Sequence, residues 1–192
     1  MFDLTIKTDR LSLRPFRADD GPDVERLAGD WNVARMTTRI PHPYPAGSGA
    51  MWIATHDPAR RNGSAYPSAV TRGGELVGCV GLNNLDSKSW THRVPDEQAT
   101  LELGYWIGAP FWGKGYATEA AAAVIAFAFG WLGKTHLVAG CFPDNAASRR
   151  VLEKHGFAAN GSRMLPSAAQ GREVECILMA PLTRDAWAAK KV

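Results

Sequence analysis

Two glycines flank a lysine at Gly113-Lys114-Gly115, directly after the strand-like run Glu102-Leu103-Gly104-Tyr105-Trp106-Ile107 and Trp112. A helical stretch over 118–131 follows at once. Glycines let the backbone curl and turn consecutive N–H groups, here those of residues up to Tyr116, Ala117 and Thr118, toward one point. At a helix N-terminus the dipole adds attraction for an anion. The chemistry this spacing suits is the binding of a pyrophosphate. Two other phosphate loops recede. A Walker A loop needs Ser or Thr after its lysine, and Lys114 is followed by Gly115. A dinucleotide fingerprint needs a third Gly or Ala where Thr118 stands.

Other reactive residue types offer less. Cys79, Cys141 and Cys176 sit in separate apolar segments without CxxC spacing, which argues against a zinc site and a disulfide framework. They read as buried, reduced thiols. His42, His56, His92, His136 and His155 lack HxxxH or HExxH spacing, so no metal is expected. His42 lies in a Pro-rich loop and reads as a surface histidine that could also line a groove.

The 192 residues suit one domain, 1–192, with 45% hydrophobic and 21% charged residues. A net charge of +3 with no basic block argues against nucleic-acid binding and tolerates a polyphosphate ligand. The opening residues hold no signal-like apolar segment. The longest apolar run, over 120–129, is too short for a membrane span. A soluble, cytoplasmic protein is expected, monomeric or homodimeric.

These residues must be held by a regular frame. Leu4, Ile6, Leu11, Leu13 and Phe16 predict an opening half-buried strand, and Val24, Leu27 and Ala28 a helix after Asp19-Asp20. A Pro-rich connection over 41–45 leads to a short helix after Ser48. Gly73-Gly74 predicts a hairpin of strands over 68–70 and 76–82. A polar loop over 83–98 precedes the strand at 100–107. After the glycine turn and its helix come a strand at 137–142 and a helix at 146–155, stopped by Gly156. Strands over 157–162 and 174–182 close the chain. This order implies one mixed α+β sheet with helices on both faces.

Taken together, ELGYWI followed by WGKGYATEA resembles the acyl-CoA-binding motif of the GNAT superfamily of N-acetyltransferases, Q/R-x-x-G-x-G/A. Gly113, Gly115 and Ala117 take its small-residue positions, and Trp112 stands near the point where many members carry Arg or Gln. Downstream, Asp144-Asn145-Ala146-Ala147-Ser148 and Glu153-Lys154-His155-Gly156-Phe157 are similar to the family's N-x-x-S…EKxGF signature. TDRLSLRPFRADD and PYPAGSGAMWI extend the likeness to nearly the whole chain, within the Rim-type ribosomal-protein-alanine N-acetyltransferase branch.

The resemblance implies a single-domain GNAT-like fold whose mostly antiparallel sheet splays beside the strand ahead of the glycine loop. It implies acetyl-CoA as co-substrate and direct attack by an amine, without an acyl-enzyme or metal. The pyrophosphate is expected on Trp112, Gly113, Lys114, Gly115, Tyr116, Ala117 and Thr118, and the pantetheine arm on the backbone of Tyr105, Trp106 and Ile107, with Gly104 at a bulge. Asn145 and Ser148 are expected near the cofactor arm. Glu102 is the candidate base, acting through water; the competing reading is a solvent-facing strand carboxylate. Many members use a tyrosine on the second motif helix as acid. Tyr116 is the last tyrosine here, so the acid falls to Ser148 or to solvent. Some Rim-type enzymes carry an acidic residue in the final hairpin, where this chain reads Leu165-Pro166-Ser167. The acceptor groove is expected along Trp31, Met36, Tyr44 and residues 164–171. The branch suggests a protein N-terminal α-amine; a small-molecule amine, or a non-catalytic acyl-CoA-binding module, are the alternatives.

Overall fold

The computed structural model describes residues 5–85, 94 and 96–190. Leu4, His92 and most of the polar loop over 83–98 lie outside them. Where the alternation predicts one opening strand there are two, Ile6–Lys7 (β1) and Ser12–Arg14 (β2), paired antiparallel. The turn between them is closed by Thr8, whose N–H donates to the Leu11 carbonyl at 2.9 Å. Four short helices follow: Gly21–Ala28 (α1), Trp31–Ala34 (α2), Ser48–Ala54 (α3) and His56–Arg61 (α4). Pro22 near the start of α1 suits the one helical turn that needs no N–H.

Ala65–Arg72 (β3) and Glu75–Asn83 (β4) form the predicted hairpin, with Gly73 and Gly74 at φ 57° and 91°, a region that favours glycine. Thr100–Ile107 (β5) pairs with β4 without interruption, from Gly78 opposite Ile107 to Asn83 opposite Glu102. The bulge expected at Gly104 is therefore absent. That residue faces Gly81, and a Cβ added to it would meet only the Asn83 side-chain nitrogen, at 3.9 Å.

Tyr116–Gly130 (α5) begins two residues before the predicted 118, because Gly115 already turns the chain into the helix. The strand expected over 137–142 is divided. His136–Val138 (β6) runs parallel to β5, whereas Gly140–Cys141 (β7) leaves for another sheet. Gly140 permits the departure: a Cβ there would lie 2.8 Å from Cys176 Sγ. Ala146–Lys154 (α6) follows, then Ala159–Ser167 (β8), Arg172–Met179 (β9), Leu182–Thr183 (β10) and Arg184–Ala189 (α7). The expected last strand is thus split too, at Ala180-Pro181, where proline cannot donate to a ladder.

The main sheet has the order β1-β2-β3-β4-β5-β6-β10 and is antiparallel except between β5 and β6. The smaller sheet has the order β7-β9-β8. Strand alternation divides the core. Val80, Leu82, Leu101, Leu103 and Ile107 pack with α5, while Cys79 and Trp106 face α1 and α3. Burying each large aliphatic side chain contributes about 1.5–3 kcal/mol. Helices thus cover both faces, as expected. Among the described residues, no helix is long and apolar enough to cross a membrane.

Candidate active site

The glycine loop is shaped for an anion. Gly113 and Gly115 have φ of 75° and 78°, left-handed values that cost an L-residue about 1–2 kcal/mol. Gly115 is the N-cap of α5 and offers no side chain to cap it. The first helical bond runs from the Glu119 N–H to the Gly115 carbonyl, at 3.1 Å, so the N–H groups of Tyr116, Ala117 and Thr118 have no acceptor within the helix. A Cβ on Gly113 would meet nothing within 4 Å, so the loop is open on that side. Lys114 lies exposed across the Phe111 ring, 5.5 Å from its centroid. The half-exposed Trp112 donates its indole N–H to the Ile107 carbonyl at 2.6 Å.

A brace from the chain's start holds this loop. Arg10 donates to Glu119 through Nε at 2.7 Å and to the Lys114 carbonyl through Nη1 at 2.9 Å. The Thr8 hydroxyl and the Arg10 N–H also donate to Glu119, at 2.6 and 2.9 Å. These bonds keep the Glu119 carboxyl below its usual range despite the opposing effect of burial. The Arg10 guanidinium also covers the ring of buried Tyr116, 5.1 Å from its centroid. Sequence reasoning missed the brace, since nothing local links residues so far apart.

Beside the loop, β5 has a stretch of edge that no described strand pairs with. Its pairing with β6 covers only Thr100, Leu101 and Glu102. The Gly108 N–H donates to the Val77 carbonyl, and bonded pairs alternate in an antiparallel ladder. The main chain of Glu102, Gly104 and Trp106 therefore faces β4, and that of Leu103, Tyr105 and Ile107 faces the gap left by β7. Trp106 is turned away from the gap and its side chain is buried in the α1–α3 core, which separates it from the expected Tyr105–Ile107 set.

Across the gap, Asn145 caps α6 by accepting the Ser148 N–H at 3.0 Å. The Tyr105 hydroxyl lies 3.0 Å from Ser148 Oγ and 3.1 Å from the Ser148 carbonyl. Burial pushes this phenol well above its ordinary range, against the opposing pull of the Ser148 bond, so it stays protonated. Sequence reasoning considered only the Tyr105 backbone. The motif helix lacks a tyrosine, yet one from the neighbouring strand reaches its serine.

Glu102 points to the opposite face of β5, with a quarter of its side chain exposed and Arg39 Nη2 at 3.9 Å. On that side the segment after α2 is laced to the β8–β9 hairpin. Gln170 donates to the Arg35 carbonyl at 2.8 Å, and the Ala168 N–H to that of Thr38 at 2.9 Å. Arg35 also bridges to Asp144 at 3.2 Å. Trp31 and Met164 are about half exposed, and His42 bonds the Gly29 carbonyl beside Trp31. Met36 is partly buried at the same segment. Tyr44 is partly buried and packs against the α1–α3 core. The three cysteines are free and buried, and burial raises Cys79 and Cys176 to about 12. Among the described residues no cluster of His, Cys, Asp or Glu could hold a metal.

Unsatisfied helix N–H groups, left-handed glycines and an unpaired strand edge fit a ligand with a pyrophosphate and an amide-bearing arm. Joined at a divided sheet, these features suit an acyl-CoA. The model of the acetyltransferase (GNAT) domain matches residues 10–158, and the chain belongs to this family. It is an acetyl-CoA-dependent N-acetyltransferase. The chain is 25% identical to the uncharacterized N-acetyltransferase p20 of Bacillus licheniformis over 182 residues, 94% of this chain and 97% of that protein. Mycobacterium smegmatis RimJ, solved in complex with CoA-disulfide, has a similar fold at TM-score 0.80 and 22% identity, covering 96% of this chain and 89% of that one. RimL, a ribosomal L7/L12 alpha-N-protein acetyltransferase solved with coenzyme A, gives TM-score 0.75 at 17% identity, covering 95% and 99%.

Proposed function

We propose that this enzyme acetylates a protein N-terminal α-amine by direct attack, without an acyl-enzyme. The observation that carries the reading is the pair of polar groups on opposite faces of β5, Glu102 beside the laced cleft and Ser148 across the gap. Acetyl-CoA supplies the activated thioester. Gly113, Lys114, Gly115, Tyr116, Ala117 and Thr118 hold its pyrophosphate through main-chain N–H groups, with Trp112 at the loop's edge. The main chain of Tyr105 and Ile107 pairs with the pantetheine arm, and Asn145 sets the turn that carries Ser148. Glu102 takes the amine's proton through water, and the Ser148 hydroxyl faces the leaving sulfur.

An α-amine has a reference pKa of about 7.7–8.0 and a lysine about 10.4, so the lysine costs about 3–4 kcal/mol more to deprotonate. One carboxylate acting through water suits the easier amine. The α-amine specificity in RimL's name agrees with this choice. Free-thiol release from acetyl-CoA tests it, using peptides with a free N-terminus, N-blocked peptides with lysine, polyamines, aminoglycosides and amino acids. Release should be fastest with free N-termini. Faster release with a small amine overturns the acceptor assignment, and no release with any amine overturns catalysis.

A further inference from the structure

The hydroxyl of Tyr105 has a single hydrogen and two acceptors within reach, Ser148 Oγ at 3.0 Å and the Ser148 carbonyl at 3.1 Å. The Ser148 N–H is already held by Asn145, which fixes the first turn of α6 where the serine stands. Tyr105 comes from the strand whose edge is unpaired, and Ser148 from the helix that follows β7. The pair therefore joins the two sides of the gap at the only point where the described side chains exchange a hydrogen bond between β5 and α6.

How the two hydroxyl hydrogens are arranged decides what Ser148 can do. If Tyr105 donates to the carbonyl, the serine hydrogen turns back toward the phenol oxygen. If Tyr105 donates to Oγ, the serine hydrogen is left for a group in the gap. A developing thiolate favours the second arrangement, because an ionised acceptor strengthens a hydrogen bond. A thiol has a reference pKa of about 8.5, whereas burial holds the phenol above its own ordinary value. The phenol therefore keeps its proton.

We infer that Tyr105 is a positioning residue for the reaction: by donating to Ser148 Oγ it aims the serine hydrogen at the sulfur leaving the acetyl group. As the carbon–sulfur bond breaks, its electron pair stays on sulfur and is met by that hydrogen bond; no proton leaves Tyr105. This inference rests on the assignment of Ser148 under the proposed function.

The test compares wild type with Tyr105→Phe, Ser148→Ala and the double variant. Tyr105→Phe keeps the ring that packs against the α5 core and removes only the hydroxyl. The first readout is the ultraviolet thiolate absorbance of bound CoA titrated with pH, with desulfo-CoA as the blank. The protein's own thiols do not interfere, since burial raises Cys79 and Cys176 to about 12 and lifts Cys141 as well. Wild type should favour the thiolate by about ten-fold over each variant, the effect of one hydrogen bond to a charged group. The second readout is turnover, which should fall about ten-fold in both single variants with acetyl-CoA affinity unchanged. The double variant should lose no more than either single one, because the two hydroxyls act as a unit.

A slow Ser148→Ala beside a wild-type Tyr105→Phe overturns the inference and leaves the Ser148 assignment standing. A wild-type Ser148→Ala overturns that assignment and the inference with it. Additive losses in the double variant, or weakened acetyl-CoA binding by Tyr105→Phe alone, also overturn the positioning role.

Discussion

Lowering the pH from 7 to 5 should destabilise this protein through one buried histidine. His56 is 6% exposed, and among the described residues neither ring nitrogen has a hydrogen-bond partner. Its ring stands perpendicular to Trp52 at 4.3 Å and near Phe16 at 5.3 Å, with Arg60 on the same short helix. Burial, with a smaller contribution from Arg60 and a small opposing one from Asp57, holds its pKa at about 4 against 6.5 for a free histidine. Between those values the unfolded chain binds a proton that the folded one refuses, so stability falls as pH falls. The loss begins near pH 6.5 and is complete below about 4. From pH 7 to 5 it amounts to about 2 kcal/mol, at roughly 1.36 kcal/mol per pKa unit. In a chain of this size that corresponds to a Tm lower by about 4–8 °C. Thermal unfolding of wild type and His56→Leu across this range checks it. The leucine variant should lose most of the slope. His155, also lowered by burial, contributes equally to both proteins. Asp20 and Glu119 have lowered carboxyls, so their stabilisation is lost only below about pH 4–4.5, under the window. Parallel curves for the two proteins would refute the reasoning. Rate profiles below pH 6 must be read with this loss in mind.

Acetyl-CoA at a hundred times its Kd should stabilise the fold by about 2.7 kcal/mol, and Gly115→Glu should abolish the Tm shift by placing a charged side chain at a left-handed position in the phosphate loop. An unchanged shift in that variant would move the phosphate site elsewhere. Glu102→Gln should leave acetyl-CoA affinity intact and lower kcat/KM by about 10²–10⁴-fold, most strongly below the acceptor amine's pKa; wild-type turnover at pH 6.5 would remove Glu102 from the mechanism. Glu119→Ala takes away the acceptor of Thr8 and Arg10, and should cost about 2 kcal/mol in denaturant unfolding while weakening acetyl-CoA binding in calorimetry. Loss of stability with unchanged affinity would show that the brace does not shape the loop.

Much of the glycine loop and its helix was legible in the chain because it is local. The left-handed turns at Gly113 and Gly115 and the Gly73-Gly74 hairpin each depend on residues within one turn of one another. Their spacing alone therefore dictated the backbone and, through the N–H groups it exposes, the class of ligand. The tertiary structure decided what lies between elements. It divided residues 137–142 between two sheets at Ala139, and it kept β5 free of the bulge expected at Gly104. It also set Glu102 and Ser148 on opposite faces, tied Arg10 to Glu119, and enclosed the His56 ring among Trp52 and Phe16. Tyr105 shows the difference most directly. Its backbone role follows from its place in a strand, but the use of its hydroxyl depends on a serine 43 residues away. Neither residue's own neighbours carry that information, because strand alternation says which face a side chain takes and not which helix will be packed there.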